Sequence, residues 1–232
     1  MKTETNNLSN ANMARRAFLR YAGASTAVAG IVAMQACSKD NSAYEDVGGG
    51  DSATIDVGSG DPGILNYAYA LEQLEAAFYI QVVNSFSADF TTEEKLLLTD
   101  IRDHEVAHRE FFKAALGSGA IKGLTPDFSK IDFSSRTSVL ATAKAFEDLG
   151  VTAYDGVASK IQNNDYLVIA GKIVSVEARH AAVISNLITP GSFVDSDQVD
   201  SNGLNITMGP TKVVATANLF LKTKISAKSF NF

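Results

Sequence analysis

The chain has 232 residues, of which 46% are hydrophobic and 20% are charged, and its formal net charge is −6. This composition is ordinary for a globular protein, and the length suits one domain with one well-buried core. The body of the chain has no run of basic residues of the kind that binds nucleic acid, so nucleic acid is not expected as a partner. The single cysteine, Cys37, excludes an intrachain disulfide and a Cys-x-x-Cys site. Any metal must therefore be bound through oxygen and nitrogen.

The N-terminal segment, residues 1–37, has the features of an export signal. Arg15 and Arg16 precede an apolar, alanine-rich stretch, residues 22–36, that contains no charged residue. A positively charged region followed by such a stretch is typical of a signal peptide. The stretch is too short to cross a hydrocarbon layer of about 30 Å comfortably, which favours a signal over a retained membrane span. The arginine pair resembles the twin-arginine export motif, which implies transport of an already folded protein.

Cys37 lies where the apolar stretch ends, directly after the small residue Ala36. This arrangement resembles a lipobox, although Met34 and Gln35 are loose matches to its preferred residues. Cleavage at this point implies a lipidated N-terminal Cys37, an anchor to a membrane, and a location in the periplasm or cell envelope. The alternative interpretation of Cys37 is a buried free thiol.

Four helices are predicted after a segment rich in Gly, Ser and Asp, residues 38–61, which is expected to be a flexible linker. Asp61 is expected to cap the first helix, with proline in its first turn, and Thr91 with Glu94 predicts a capping box at the second. Pro190 ends the fourth helix. Apolar periodicity places the helices at about residues 62–86, 92–117, 135–162 and 165–188.

The order and spacing of these helices predict an all-α fold. Short connections make consecutive helices antiparallel neighbours, so residues 62–190 are predicted to form an up-and-down four-helix bundle. The longer loop after the second helix is a candidate crossover. Residues 191–232 form a C-terminal extension, which is expected to cap one end of the bundle with four apolar residues: Val213, Val214, Phe220 and Leu221.

The two halves of the predicted bundle carry matching motifs. In the first and third helices, a glutamate is followed seven residues later by a tyrosine, and in the second and fourth helices a glutamate is followed three residues later by a histidine. Such matching is what a duplicated helix pair leaves behind. The pairs, in chain order, are Glu72 with Tyr79, Glu105 with His108, Glu147 with Tyr154, and Glu177 with His180.

The matched glutamates and histidines all lie on the apolar stripes of their helices. Residues three apart share a helix face, so each Glu-x-x-His motif presents a carboxylate and an imidazole together. Four ionised carboxylates in a bundle core cost several kcal/mol each unless cations neutralise them. The pattern therefore predicts a core site for two metal ions.

This constellation resembles the ferritin-like superfamily, in which a glutamate from each of two helices and Glu-x-x-His from each of the other two bind a di-iron or di-manganese centre. The stretches around Glu72 and Glu147 look most like exported bacterial ferritin-like proteins related to plant desiccation-related proteins. The resemblance implies two metal ions, with iron expected first and manganese as the alternative. Carried over residue by residue, the ligands are Glu72, Glu105, His108, Glu147, Glu177 and His180.

Glu75 departs from the pattern, because it is a second glutamate one turn after Glu72 and on nearly the same face. Glu75 can replace Glu72 as the ligand. The matched residue in the other half is Gly150 and not a second glutamate. Glu75 is therefore ranked second to Glu72 as the candidate ligand.

The side chains around the predicted ligands leave further alternatives open. Tyr79 and Tyr154 either only pack or hydrogen-bond a ligand carboxylate of the neighbouring helix. His104 and Glu110 lie off the apolar stripe and are interpreted as solvated or as supporting a ligand from outside.

The resemblance implies a metal-dependent redox protein. Its carboxylate-bridged di-iron centre would react with oxygen or peroxide, as a ferroxidase or in defence against oxidative stress. The competing hypothesis is a non-enzymatic envelope protein, a stress-protection or interaction module whose metal is structural or vestigial. A closed storage cage is disfavoured, because a lipidated N-terminus and a long tail fit badly with a closed shell.

Export is expected to need the arginine pair, and anchoring to need the thiol. Replacing Arg15 and Arg16 by lysine should hold the precursor in the cytoplasm, and Cys37→Ser should release soluble protein outside it. Immunoblots of cytoplasmic, membrane and soluble envelope fractions measure both effects. Cys37→Ser protein that stays in the membrane fraction would contradict the lipid anchor.

Overall fold

The computed structural model describes residues 54–230, so Arg15, Arg16, Cys37 and most of the predicted linker lie outside the described residues. The described part is mostly helical, which confirms the all-α prediction. None of its helices is both long and apolar enough to cross a membrane. The elements, in chain order, are β1 (Ile55–Asp56), α1 (Gly60–Asn84), α2 (Thr92–Leu116), a 3-10 turn (Gly117–Gly119), α3 (Arg136–Ala158), α4 (Asn164–Ile188), α5 (Pro210–Ala217), a second 3-10 turn (Asn218–Phe220) and β2 (Ile225–Ser226).

The four long helices form two packed pairs, α1 with α2 and α3 with α4, and α1 also contacts α3. The connections within the pairs, residues 85–91 and 159–163, are short, as expected for antiparallel neighbours. The longer segment 117–135 joins one pair to the other. Two side chains of α1 hold this segment: Gln73 accepts a hydrogen bond from the backbone of Leu124, and Asn66 accepts one from that of Ile121.

The local signals for the helix termini are only partly correct. The capping box of α2 is present, with Thr91 accepting from the backbone of Glu94 and the Glu94 carboxylate accepting from that of Thr91. Asp61, however, is not the cap of α1, because the helix begins at Gly60 after Ser59. The Asp61 carboxylate instead accepts hydrogen bonds from two backbone N–H groups of the α3–α4 connection.

Helices α1 and α3 end earlier than predicted, at Asn84 and Ala158. Apolar periodicity extends past both ends because Phe86 and Ile161 pack against the core from the connecting loops. In the sequence, an apolar residue that contacts the core from a loop looks the same as an apolar residue in one more turn of helix.

The predicted flexible linker extends too far towards the bundle. Residues 55–56 form β1, which pairs in parallel with β2 from the C-terminal end of the chain. Val57 is only 1% exposed and belongs to the main core. The backbone N–H of Val57 donates to Ser226 over 2.9 Å, so residues 55–57 are part of the folded domain.

The C-terminal extension packs along α3 and not only across one end of the bundle. Val213 and Leu221 are buried in the main core, and the ring of Phe220 meets that of Phe146 at 4.8 Å. Further along α3, the backbone N–H of Met208 donates to the carbonyl of Thr152. The extension thus covers the outer surface of α3.

The covering segments make the four helices unequal. Most residues of α1 are buried, including both faces of its central turns, whereas α2 and α4 each bury one narrow face and expose the other. A site in the bundle core is therefore shielded on the α1 and α3 side and closest to solvent on the α2 and α4 side.

Gly156 provides the close approach between α3 and the extension. A Cβ atom placed there would lie 2.2 Å from the carbonyl oxygen of Met208, a backbone atom that cannot rotate away. A Cβ atom placed on Gly171, in α4, would have nothing within 4 Å. Alanine is therefore compatible with α4 but not with this place in α3.

Gly156→Ala should lower stability by about 1–3 kcal/mol through overpacking, even though alanine favours helix. Gly171→Ala should raise stability by up to about 1 kcal/mol, because only the backbone entropy changes. Thermal unfolding followed by circular dichroism measures both, at about 2–4 °C for each kcal/mol. Equal shifts in the two variants would show that the extension does not depend on this contact.

Candidate metal centre

The four predicted ligand glutamates come from four different helices and meet in the middle of the bundle. Glu72 lies on α1, Glu105 on α2, Glu147 on α3 and Glu177 on α4, and each is 0% exposed. Each is buried because it stands on the stripe of its helix that packs inward. The core of the bundle thus contains four carboxylates without contact to solvent.

The two motif histidines add their Nδ1 atoms to this cluster. Nδ1 of His108 lies 2.9 Å from Glu177 and 3.4 Å from Glu72. Nδ1 of His180 lies 2.8 Å from Glu105 and 3.4 Å from Glu147. The side chain of His108 is 14% exposed and that of His180 is 5% exposed, so the cluster is nearest to solvent at His108.

These six residues divide into two overlapping groups of four, within each of which one donor atom per residue lies within 4.8 Å of the others. Glu105 and Glu177 belong to both groups. One group adds Glu72 and His108, and the other adds Glu147 and His180. Each group could hold a metal ion through three carboxylates and one imidazole, and the two groups share two carboxylates.

The donor atoms lie close together without hydrogen bonds between them. Although the distances are short, both oxygens of Glu105, both of Glu177 and Nδ1 of each motif histidine have no hydrogen-bond partner within residues 54–230. A buried polar atom left unpaired costs about 1–3 kcal/mol, and more if it is charged. Carboxylate oxygens and imidazole nitrogens are ligands for iron, manganese and zinc. The donor set therefore fits divalent metal ions.

Two tyrosines orient the carboxylates that belong to one donor group only, Glu72 and Glu147. Each tyrosine bonds to the glutamate of the other helix, across α1 and α3. The hydroxyl of Tyr79 donates to Oε1 of Glu147, and that of Tyr154 donates to Oε1 of Glu72. In both glutamates the other oxygen, Oε2, is the one nearest a histidine. Of the two interpretations of these tyrosines, hydrogen bonding is therefore the one that the structure shows.

Glu75 is buried, at 4% exposure, but it belongs to neither group of donors. Its carboxylate lies against Gly150, where an added Cβ atom would come within 3.0 Å of Oε1. Burial, followed by repulsion from Glu177, raises the pKa of Glu75 well above its ordinary value. Glycine at position 150 provides the space that a fifth core carboxyl group needs.

The two polar residues off the stripe have different environments. Glu110 is exposed and pairs with its neighbour Arg109. His104 is exposed as well, but its Nδ1 atom lies 2.9 Å from Nε2 of the buried His180. The sequence left His104 open as solvated or as supporting a ligand from outside, and it did not indicate His180 as the partner. The available signal was that His104 lies four residues before His108, next to it on the helix surface.

The cluster distributes protons unevenly when no metal is bound. Burial raises the pKa of Glu72 to about 7, with repulsion by Glu105 adding to it. Burial also raises the pKa of Glu177 well above its ordinary value. For Glu105, burial acts in the same direction, but His108 and His180 on both sides outweigh it and lower its pKa to about 2.

The histidines carry the compensating charge in the metal-free cluster. Burial would lower the pKa of His108, but Glu105, Glu177 and Glu72 outweigh it and raise the pKa to about 12. The same balance raises the pKa of His180 to about 10. A metal ion needs neutral imidazole and ionised carboxylate, so metal binding must displace protons from this cluster.

Comparison with known families identifies the helical bundle. A family model described as a ferritin-like domain matches residues 60–190, which is more than half of the chain. The matched residues begin with α1 and end just after α4, so they contain every member of the two donor groups. No curated protein matches the chain.

The metal-free protein should lose stability as pH rises from about 5 to 9. The pKa of Glu72 rises on folding from 4.5 to about 7, and that of His180 rises from 6.5 to about 10. A raised pKa means that the folded state holds its proton more tightly, so this stabilisation is complete below the unfolded value and is lost as pH passes the folded value. Glu105, whose pKa is lowered, loses its contribution only in more acidic solution.

Metal should reverse this trend, because protons and metal compete for the same atoms. Loaded protein should gain melting temperature over metal-free protein as pH rises, and the difference should close in mild acid. Melting curves with and without metal at several pH values measure both trends. Metal-free protein that became more stable between pH 5 and 9 would contradict the assigned protonation.

Proposed function

Because the chain belongs to the ferritin-like family and its core holds two overlapping groups of metal donors, we propose that it is a di-iron protein that oxidises ferrous iron with oxygen or peroxide. The observation that carries the proposal is the set of buried carboxylate and imidazole atoms that lack partners within the described residues. A donor set of carboxylates with one imidazole per ion suits iron and manganese.

The proposed roles follow from the position of each residue. Glu105 and Glu177, common to both groups, would hold the two ions next to each other. Tyr79 and Tyr154 would keep the outer glutamates in place by occupying one oxygen of each. Bound iron would supply the electrons that reduce oxygen or peroxide. The four glutamates are 0% exposed, so this chemistry would take place away from bulk solvent.

Metal and oxidant would reach the core between α2 and α4. His108 has the most exposed side chain of the six ligands, at 14%, and α2 and α4 each present one face to solvent. On the opposite side, α1 is buried and the extension covers α3. Ferrous iron arriving as substrate would therefore meet His108 first.

We place this activity outside the cytoplasm, on a lipid anchor. The support comes from the sequence: the Arg15-Arg16 pair, the apolar stretch that follows it, and Cys37 at the end of that stretch. An iron oxidase in the envelope would consume ferrous iron and oxidants before they reach the cell interior, which fits a role in defence against oxidative stress.

A second candidate function is a non-enzymatic stress-protection or interaction module with a structural or vestigial metal site. One observation favours it: the metal-free cluster can balance its own charge, because two protonated histidines face carboxyl groups whose pKa values are raised. Such a core can be folded and neutral without metal.

Anaerobic titration with ferrous iron should show about two ions per chain, one for each donor group. Glu105→Gln should lower this number sharply, because Glu105 belongs to both groups and the amide cannot neutralise a cation. Glu75→Gln is the matched control, since Glu75 is a buried core glutamate outside both groups. Glu72→Ala should likewise impair binding more than Glu75→Ala, and the opposite order would transfer the ligand role to Glu75.

Admitting oxygen to the loaded protein separates the two candidate functions. Wild type should consume oxygen as ferrous iron is added, and Glu105→Gln should lose most of this activity. Two bound ions without oxygen or peroxide consumption would favour a structural centre. If wild type bound no ions, both metal-based proposals would fail and only the bundle fold would stand.

A further inference from the structure

The ring of His104 touches a motif histidine, His180, from the solvent side. It is exposed on α2, whereas His180 is buried at 4% exposure on α4. The two nitrogens, Nδ1 of His104 and Nε2 of His180, are 2.9 Å apart. The ring planes differ by 10° and the ring centroids are 5.2 Å apart, which is the separation of two coplanar rings joined edge to edge. This is the geometry of an in-line N–H···N hydrogen bond.

The direction of this hydrogen bond follows from the other side of His180. Nδ1 of His180 faces Glu105 and Glu147 at 2.8 and 3.4 Å. If a metal ion binds Nδ1, the neutral ring carries its proton on Nε2, and if the ring is protonated instead, Nε2 also carries a proton. Nε2 of His180 therefore donates in both states, and Nδ1 of His104 accepts.

We infer that His104 is a positioning residue for the metal position formed by Glu105, Glu147, Glu177 and His180. The inference rests on the proposed metal function. By accepting the outer proton of His180, His104 selects the tautomer that leaves Nδ1 free for metal, fixes the ring plane and raises the basicity of the ligand. It also needs no rearrangement on loading, because the same hydrogen bond exists before and after metal enters.

The duplicated motif makes this support one-sided. Glu105 and His108 match Glu177 and His180, so the residue before Glu105, which is His104, matches Val176. A valine side chain offers no acceptor to an imidazole. At the matched place, the position formed around His108 therefore has valine where the other has His104, and it is also the more exposed of the two.

This asymmetry gives the two metal positions different tasks. The position at His180 has a fixed, enclosed imidazole and binds its ion more tightly. The position at His108 binds more weakly and exchanges its ion with solvent. Ferrous iron that is to be oxidised and released would pass through the position at His108, while the ion at His180 stays bound.

Titration of the full-length protein with Co²⁺, which does not react with oxygen under these conditions, tests the inference through affinity alone. Wild type should bind two ions with resolved affinities. His104→Phe keeps a planar ring but has no acceptor, and it should weaken the tighter ion about 10- to 100-fold while leaving the weaker one nearly unchanged. His104→Asn should restore most of the difference, because its Oδ1 stands as many bonds from Cα as Nδ1 does. Asp103→Asn, on the same exposed surface, is the matched control.

Nitrogen NMR of the imidazole rings gives an independent readout in the metal-free protein, since the chain has only three histidines. Wild type and His104→Asn should show a hydrogen-bonded, slowly exchanging Nε2 proton on His180, and His104→Phe should lose it. If His104 only packed on α4 without this hydrogen bond, the Nε2 proton signal of His180 would be the same in wild type and His104→Phe.

The outcomes separate the inference from the proposed function. Two ions bound with the same affinities in wild type and His104→Phe would overturn the inference and leave the proposed function intact. Wild type that bound no metal would defeat both. A wild-type spectrum in which Nε2 of His180 carries no proton would overturn the inference whatever the titration showed.

Discussion

The structure depends on one electrostatic constraint, the burial of four carboxylates in the core of a helical bundle. Glu72, Glu105, Glu147 and Glu177 are each 0% exposed, and none can be ionised there without a nearby positive charge. The two motif histidines, metal ions or bound protons can supply that charge. The tyrosine hydrogen bonds hold two of these carboxylates in place, and the extension encloses the core on the α3 side.

Each of the two matching helix pairs meets this constraint in the same way, but the two pairs are not fully symmetric. The tyrosines exchange partners between α1 and α3, so each half orients a carboxylate of the other. Two of the matched positions that differ lie next to the cluster: Glu75 faces Gly150 in place of a second glutamate, and His104 is matched by Val176. Under the proposed function, these differences would make the two donor groups unequal, as a protein needs if one ion stays and another passes through.

The segments outside the four helices decide from which side the cluster can be reached. Residues 117–135 are held on α1 by Asn66 and Gln73, and the extension lies on α3. The pairing of β1 with β2 ties the two ends of the domain together beside them. With that side closed, the approach to the cluster is from α2 and α4, where His108 and His104 lie.

The sequence alone determined the features that depend on local periodicity. A helix repeats every 3.6 residues, so the apolar stripes predicted four helices, and the spacing of three residues predicted which side chains share a face. The capping box of Thr91 and Glu94 was readable for the same reason. Contacts across the bundle were decided only by the tertiary structure, because they depend on how helices pack and not on spacing along the chain. These contacts include the sharing of Glu105 and Glu177 by both donor groups, the parallel pairing of β1 with β2, and the hydrogen bond that joins exposed His104 to the buried cluster.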